Sequence, residues 1–387
     1  MTGSISAQRL LRPLAFVACV GLAACALLVD TSGFVASQDA EGGSVEPDAP
    51  PLPDGGADQV VEASTDERPK RSCEGGGPGA TTCGPFGSAN CCESPLVSGG
   101  SFFQSYDGVS FTAKTHPADL TSFRLDRFEV TVGRFRAFVE ARSAGWAPAT
   151  GAGLHAHLNA TRGLALRAAG AYEPGWISTW SQPEILADTK ASWTARLTDS
   201  STCSTPTWTD APGTAETKPV SCLTWYEAYA FCIWDGGFLP SFAEWQYAAA
   251  GGKEQRVYPW SSPPDAGDAS ITCSNANYAL EPPMGCEGGS LRVAPAGSRS
   301  PSGDGRWGHA DLAGNLAEWT FDQFDAPLPD TCADCASFSG AAPADTVRAA
   351  HGGAFSSRRE FVYAASAAAQ KPSTRSGATG LRCARVP

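Results

Sequence analysis

The sequence predicts an irregular, loop-rich globular fold that is held together by disulfide bonds. Glycine (42 residues) and proline (29 residues) are abundant in this chain of 387 residues, and both favour turns over regular elements. The chain has 11 Trp but only 2 Met, which indicates rigid aromatic packing and disfavours a helical bundle. Its 14 Cys predict a disulfide framework if the protein is exported.

Charge and hydrophobic content limit the size of the core and the class of partner. Hydrophobic residues make up 42% of the chain and aromatic residues 10%, which is enough for a core in one large or two medium domains. The formal net charge is −12 at pH 7. A protein that binds nucleic acid must neutralise phosphates, so nucleic acid is not expected as a partner.

The first residues are typical of an export signal. Arg9 and Arg12 precede an apolar run over residues 14–24, which is too short to cross a bilayer that needs about 20 apolar residues. We therefore predict that residues 1–24 form a signal peptide. The run ends in LAAC, which resembles the lipobox of bacterial lipoproteins, so Cys25 is the expected acylation site. The alternative is an ordinary cleaved signal with an incidental cysteine.

Acylation at Cys25 would anchor the protein to the lipid membrane, because several acyl chains on one residue hold a soluble domain stably. Ala26, rather than Asp, follows the cysteine and favours the outer membrane over the inner one. The expected location is therefore extracytoplasmic, at the surface of the bacterial envelope.

Two short regions precede the globular part. Residues 25–71 are predicted to be a disordered tether, since residues 38–71 hold nine acidic side chains against three basic ones and no apolar repeat. Residues 72–95 hold Cys73, Cys83, Cys91 and Cys92 and little apolar material. Two disulfides in one of three connectivities are expected there. A zinc site is disfavoured, because no histidine lies nearby.

Residues 96–387 are globular in composition and are interpreted as one domain with long insertions around 143–215 and 324–346. Its first predicted helix starts at Thr131, a capping residue, and places Phe135, Phe138 and Val139 on one face. This is the only one of three predicted helices that lacks a complete capping box.

Two further helices are predicted from capping boxes. Thr224 and Glu227 open the first, and Ser241 and Glu244 open the second, which Gly251 is expected to end. The sequence Asp-Gly-Gly at 235–237 predicts a tight turn between them. The tryptophans around these helices are interpreted as core residues rather than as a ligand platform.

Six motifs in order resemble a known family: FRLDRFEVTVGRFRAFV, KPVSCLTWYEAYAFCIWDGGFLPSFAEWQYAAAGG, VYPW, WGHADLAGNLAEW, VRAAHGGAF and GLRCAR. Together they are similar to the formylglycine-generating enzymes, also called sulfatase-modifying factors. The resemblance runs from about residue 97 to residue 387. It implies an α+β, variant C-type-lectin-like fold that is irregular, with little regular secondary structure.

The resemblance also implies an activity and its residues. In that family two cysteines hold copper(I), activate oxygen and oxidise a cysteine of a C-x-P-x-R sequence in a sulfatase to formylglycine. Counting from Gly352 and Gly353, the two cysteine positions hold Ser357 and Val362 here. Copper(I) prefers soft thiolates, and neither side chain supplies one. Copper is therefore not expected, and the sequence predicts a catalytically silent member, a pseudoenzyme.

Three roles remain open at this point. In the first, a groove formed by Ser357, Arg358, Arg359 and Tyr363 binds a protein, a peptide or a glycan. In the second, the protein is an active formylglycine-generating oxidoreductase that uses displaced cysteines. In the third, it is a purely structural component of the envelope.

The other cysteines can all be paired. By resemblance, Cys232 bonds Cys383 and clamps the two parts of the domain. Nearness predicts two further pairs, and a C-x-x-C sequence predicts a short-loop disulfide, for which a redox pair is the alternative. These three pairs are Cys203–Cys222, Cys273–Cys286 and Cys332–Cys335.

Metal sites are the last candidates. By resemblance, Asn315 and Glu318 match a structural calcium motif, and Asn277 is a candidate for a second site; such oxygen ligands suit calcium. The alternative is that Asn315 stabilises a turn and Glu318 pairs with an arginine. His155 and His157, with Glu173, suggest an iron cluster only weakly, because related iron enzymes use three histidines and a helical domain that has no counterpart here.

Overall fold

The computed structural model describes residues 70–167, 170–263, 270–324, 328–339 and 346–387. They form an α+β fold in which helices are few and strands are short, as the sequence predicted. The described strands are β1 (Leu96–Val97), β2 (Gly100–Phe103), β3 (Pro117–Leu120), β4 (Phe123–Leu125), β5 (Ala165–Leu166), β6 (Ala317–Gln323), β7 (Cys332–Ala333), β8 (Cys335–Ala336), β9 (Arg348–His351), β10 (Ala367–Gln370), β11 (Thr379–Gly380) and β12 (Ala384–Arg385).

The α-helices in the described part are α1 (Val132–Ser143), α2 (Lys190–Leu197), α3 (Trp225–Trp234) and α4 (Phe242–Ala249). Thr131 caps α1, and both predicted capping boxes are formed at α3 and α4. Gly251 follows α4 in the left-handed region at φ 66°, which confirms it as the residue that stops this helix. Helix α2 was not predicted.

The main core is aromatic and lies between α1, α2 and α3. Phe135 of α1 stacks on Phe231 of α3 with ring centroids 5.6 Å apart, and Trp193 of α2 meets Phe135 edge-on at 5.5 Å. Trp176 and Trp193 are both fully buried, although they lie in the segment that the sequence marked as an insertion. That segment therefore completes the core, and this explains why it folds as part of the domain.

A four-stranded sheet carries the segment with the family's cysteine positions. Its strand order is β10-β9-β6-β11, and β6 is buried along its whole length. Strand β9 runs antiparallel to β6, which places His351 opposite Glu318. The polypeptide leaves this sheet at His351 and enters the loop that holds residues 352–363.

The cysteine-rich segment packs onto the domain. Its disulfides are Cys73–Cys92 and Cys83–Cys91, and the second lies in an apolar cluster with Phe128. Lys70, which the sequence analysis assigned to the tether, is only 5% exposed. Its Nζ donates to Ser94 Oγ at 2.7 Å, so the folded part begins before residue 72.

A buried ionic network joins this segment to the two ends of the domain. Arg134 of α1 donates to Asp126 at 3.0 Å and to Asp235 at 2.7 Å. Arg385 of β12 binds the same two carboxylates. Although burial opposes ionisation, Arg385 and Arg134 hold the pKa of Asp126 well below its usual value. Removing one partner would leave a buried charge uncompensated, which is strongly destabilising.

The remaining disulfides are the four pairs expected from the sequence. The structure joins Cys203–Cys222, Cys232–Cys383, Cys273–Cys286 and Cys332–Cys335. The C-x-x-C pair links β7, which pairs with β3, to β8, which pairs with β5.

Some predictions lie outside the described residues: the signal peptide at 1–24, the acylation of Cys25, and the tether up to residue 69. In the part of the chain that the structure describes, no helix is long and apolar enough to cross a bilayer.

Candidate functional site

The loop after β9 is shaped by two glycines. Gly352 and Gly353 have φ values of 86° and 63°, a region that side chains with a Cβ rarely adopt. A Cβ on Gly353 would lie 2.5 Å from the carbonyl oxygen of Phe361 and 2.7 Å from Cγ1 of Val362. The loop therefore folds back on itself, and the glycine pair allows residues 361 and 362 to contact its start.

Ser357 and Val362, at the family's cysteine positions, are both buried. Ser357 is 7% exposed, and its Oγ accepts a hydrogen bond from the backbone N–H of Ala354 at 3.0 Å. Val362 is fully buried in an apolar cluster with Tyr258, Tyr278 and others. Each side chain thus holds the loop together, one by a hydrogen bond and one by packing.

These residues do not fit copper(I). Ser357 offers a hydroxyl that is already bound to the backbone, Val362 has no donor atom, and copper(I) selects soft sulfur ligands. All twelve cysteines in the described part of the chain are joined in six disulfides. The described residues therefore supply no free thiolate for this ion.

The predicted groove of Ser357, Arg358, Arg359 and Tyr363 is divided in the structure. Arg358 and Arg359 are exposed, whereas Ser357 and Tyr363 are 7% and 8% exposed. Tyr363 packs at 5.2 Å from Tyr258 instead of facing solvent. The two arginines are thus the members of the set that are exposed to solvent.

An aromatic cluster packs against the loop of residues 352–363. Tyr258 stacks in parallel on Trp260 with centroids 5.0 Å apart, and its hydroxyl donates to the Arg359 carbonyl at 3.2 Å. Burial raises the pKa of Tyr258 well above its usual value, and burial also raises the pKa of Tyr278. Both phenols therefore stay neutral and act as hydrogen-bond donors.

A hairpin that sequence reasoning did not connect to the site lies directly beside it. The backbone N–H of Ala279 donates to the Ser357 carbonyl at 2.9 Å. Residues 279 and 285 pair in antiparallel fashion, and Cys273–Cys286 closes the base of the hairpin. Its tip exposes Leu280 (42%) and Met284 (53%), two of the few large apolar side chains that face solvent among the described residues.

Asn315 connects the site loop to the core. Its carbonyl accepts the Phe355 N–H at 2.9 Å, and its side chain donates to Glu129 at 2.6 Å. Its Oδ1 accepts from the N–H of Ala294 at 2.9 Å and from Asn277 Nδ2 at 3.0 Å. With these partners, the side chain acts as a hydrogen-bonding hub at a residue with φ 62°.

Glu318, one of the three candidate calcium ligands, is already engaged by an arginine. Both carboxylate oxygens of Glu318 accept hydrogen bonds from Arg382, and Trp245 Nε1 also donates to Oε2 at 2.6 Å. A cation at Glu318 would have to displace Arg382. At Glu318 and Asn315 the geometry agrees with the alternative, in which Asn315 stabilises a turn and Glu318 pairs with an arginine. Asn277 differs, because its buried Oδ1 has no hydrogen-bond partner among the described residues.

The histidines of the suggested iron cluster serve a different purpose. His155 is fully buried; its Nδ1 lies 2.9 Å from Glu173 and its Nε2 lies 3.0 Å from Glu244. Burial disfavours the charge, but the two carboxylates raise the pKa of His155 to about 10. Both ring nitrogens are thus protonated and engaged, and in the described ranges no three His, Cys, Asp or Glu side chains converge on a metal position.

His351, the last residue of β9, is neutral, whereas His155 is protonated. It is fully buried, stacks on Trp245 at 4.9 Å and meets Phe242 edge-on at 4.4 Å. Burial lowers its pKa to about 3. It packs at the mouth of the loop as an aromatic side chain rather than as an acid or base.

Comparison with known proteins shows which family the chain is similar to. Residues 81–387 match the family profile of the sulfatase-modifying factor enzyme 1-like domain. The chain is 28% identical over 318 residues to a formylglycine-generating enzyme of Streptomyces coelicolor, covering 80% of this chain and 92% of that protein. It is 34% identical over 114 residues to an inactive C-alpha-formylglycine-generating enzyme 2 of Bos taurus, covering 29% and 35%.

Among solved structures, PvdO from Pseudomonas aeruginosa aligns with 18% identity and a TM-score of 0.48, covering 80% of this chain and 99% of that one.

The family match covers most of the chain and includes the loop, the hairpin and both positions that lack cysteine. The chain therefore belongs to the sulfatase-modifying factor enzyme 1-like family.

Proposed function

We propose that this protein is a lipid-anchored, extracytoplasmic member of the family that lacks the oxidase activity and acts as a binding module. The observation that carries the proposal is the pair Ser357 and Val362, which stand where the resemblance expects the two copper-binding cysteines. Neither side chain ligates copper(I), and both are committed to holding the loop. The relative in Bos taurus that is named inactive supports the same reading.

The surface around the loop supports a binding role. Arg358 and Arg359 are exposed on one side, and Leu280 and Met284 are exposed on the neighbouring hairpin. The hydrogen bond from Ala279 to Ser357 makes the two segments adjacent. Arginine, methionine and aromatic side chains are enriched in the centres of protein interfaces. A polypeptide is therefore favoured over a glycan as the partner.

The membrane anchor adds a location to this role. The N-terminal sequence predicts acylation at Cys25, and the acidic stretch at 38–71 would hold the domain away from the bilayer surface. The anchor is tested by mass spectrometry of the mature N-terminus. A diacylated or triacylated Cys25 supports it, and an unmodified residue after cleavage contradicts it.

The silent role is tested with the full chain, copper and a C-x-P-x-R peptide. Mass spectrometry of the peptide should find no aldehyde. The matched control carries Ser357→Cys together with Val362→Cys, which restores sulfur at both positions without touching the rest of the loop. Formation of aldehyde by the unaltered protein would overturn the proposal.

A further inference from the structure

One disulfide differs from the others in its exposure and its position. In Cys83–Cys91, Cys203–Cys222 and Cys232–Cys383, every cysteine is at most 1% exposed. Cys73–Cys92 and Cys332–Cys335 each have one buried member. In Cys273–Cys286 both cysteines are partly exposed. Of the disulfides in the described ranges, it is thus the one in which neither cysteine is buried.

This disulfide lies beside the candidate site. The backbone N–H of Cys286 donates to the Tyr278 carbonyl at 3.3 Å. Ala279, which follows Tyr278, donates its own N–H to the Ser357 carbonyl. Both cysteines pack against the apolar cluster that contains Val362 and Tyr363. The family's two cysteine positions therefore lack sulfur, but the hairpin that lies beside them carries two sulfur atoms, those of Cys273 and Cys286.

The acidic residue next to this disulfide is neutralised by an ion pair. Glu287 follows Cys286, and its carboxylate lies 3.0 Å from Arg299. It therefore repels an incoming thiolate less than an unpaired carboxylate would.

We propose that Cys273–Cys286 is a redox-active disulfide that exchanges with thiols of a polypeptide bound at this site. This rests on the proposed binding function and names the partner class: an exported polypeptide that carries a pair of thiols. A partner thiolate attacks one sulfur, the Cys273–Cys286 bond breaks, a mixed disulfide forms, and the other protein sulfur leaves as a thiolate that takes up a proton.

The second partner thiol, as its thiolate, then displaces the protein sulfur from the mixed disulfide. The partner's two thiols are oxidised to a disulfide, and the protein's disulfide is reduced to two thiols. Two electrons pass from the partner to the protein, so one turnover needs no oxidant other than the disulfide itself. The C-x-x-C pair Cys332–Cys335 is the natural comparison, because Cys332 is only 2% exposed and the pair lies on β7 and β8.

The first test exposes the full chain to increasing reduced glutathione, followed by acid quenching, alkylation and peptide mass spectrometry. We expect Cys273 and Cys286 to become alkylated at a glutathione concentration at least tenfold below that needed for Cys203 and Cys222, with unchanged circular dichroism. Opening of all pairs together with loss of structure, or persistence of Cys273–Cys286 until the fold unfolds, would overturn the proposal.

A trapping experiment separates reactivity from folding. Cys286→Ser leaves Cys273 as a single thiol on the wall of the site, and the matched variant Cys335→Ser leaves Cys332. With oxidised glutathione, the first variant should form its mixed disulfide at least tenfold faster than the second. Equal rates would contradict a site-specific role. Neither test uses the C-x-P-x-R peptide. The aldehyde assay can therefore contradict the silent role without affecting the result for the disulfide, and the glutathione tests can contradict the redox role without affecting the result of the aldehyde assay.

Discussion

Replacing His155 by glutamine is expected to remove a pH dependence of stability between about pH 7 and pH 9.5. Two carboxylates, Glu173 and Glu244, raise the folded-state pKa of this buried imidazole from 6.5 to about 10. A raised pKa means that the folded protein binds the proton more tightly than the unfolded chain. The stabilisation is therefore complete below pH 6.5 and is lost as the pH rises through 10.

The magnitude follows from the shift. Each pKa unit corresponds to about 1.4 kcal/mol, so the wild-type free energy of unfolding should fall by on the order of 4 kcal/mol between pH 6.5 and pH 10 from this group. Glutamine has no titratable proton, and its amide donates to one carboxylate only. The slope from residue 155 should thus vanish in His155→Gln, and the variant should be less stable at neutral pH.

Neighbouring groups titrate at or below the lower edge of this window. Burial raises the pKa of Asp322 to about 7, so its stabilising proton is lost as the pH rises from 3.8 through about 7, and this loss ends in the first part of the window. Burial lowers the pKa of His157. Because its folded-state pKa lies below the unfolded value, the proton of His157 leaves before the window begins.

The assay is urea unfolding of the full chain at several pH values, with the disulfides intact. The control is His116→Gln, since the ring nitrogen of His116 lies 3.2 Å from the Pro329 carbonyl and this residue has no ion pair among the described residues. The control should follow the wild-type slope. Parallel curves for wild type and His155→Gln between about pH 7 and pH 9.5 would refute the reasoning.

Three further outcomes are expected. Asn315→Ala should cost about 3–5 kcal/mol in urea unfolding, because it leaves several buried partners unsatisfied and puts alanine at φ 62°, and EDTA should not change the wild-type curve. Replacing Cys232 and Cys383 by alanine should cost about 4–5 kcal/mol, since this disulfide spans 151 residues. Ser357→Cys with Val362→Cys should bind copper(I) in competition with a coloured chelator, and wild type should not.

Each of these has a matched control. Asn90→Ala removes an exposed side chain that caps only the Cys92 N–H, so it should cost less than about 1 kcal/mol. Replacing Cys83 and Cys91, which are eight residues apart, should cost about 2.5 kcal/mol. Ser357→Cys alone should not bind copper(I) as the pair does. An EDTA-induced loss of stability in wild type but not in Asn315→Ala would restore the calcium interpretation.

Local signals in the sequence were sufficient for the helices they mark. The capping boxes at Thr224 and Ser241 are formed as predicted, because side-chain-to-backbone hydrogen bonds three residues apart depend on nothing beyond the helix. Helix α2 has a capping threonine but no capping box, and Trp193 packs it against Phe135. Such tertiary packing leaves no local pattern in the sequence.

The candidate site was predictable only where it is continuous in sequence. Gly352, Gly353 and the two positions without cysteine lie in one segment, so counting residues located them. The hydrogen bond between Ala279 and Ser357 joins segments 78 residues apart, and no period or motif indicates it. The burial of Tyr363 likewise depends on Tyr258, which lies on another loop.

The position of the last residues in the core has a consequence for biosynthesis. Residues 381–385 are at most 3% exposed, and they supply the guanidinium for Glu318, the sulfur for Cys232 and a strand beside β4. A polypeptide that emerges with its amino end first leaves those three partners unpaired until residues 381–385 have appeared. Closure of the domain therefore waits for this segment, and a chain that stops before residue 381 would leave an ion, a thiol and a sheet edge without their partners.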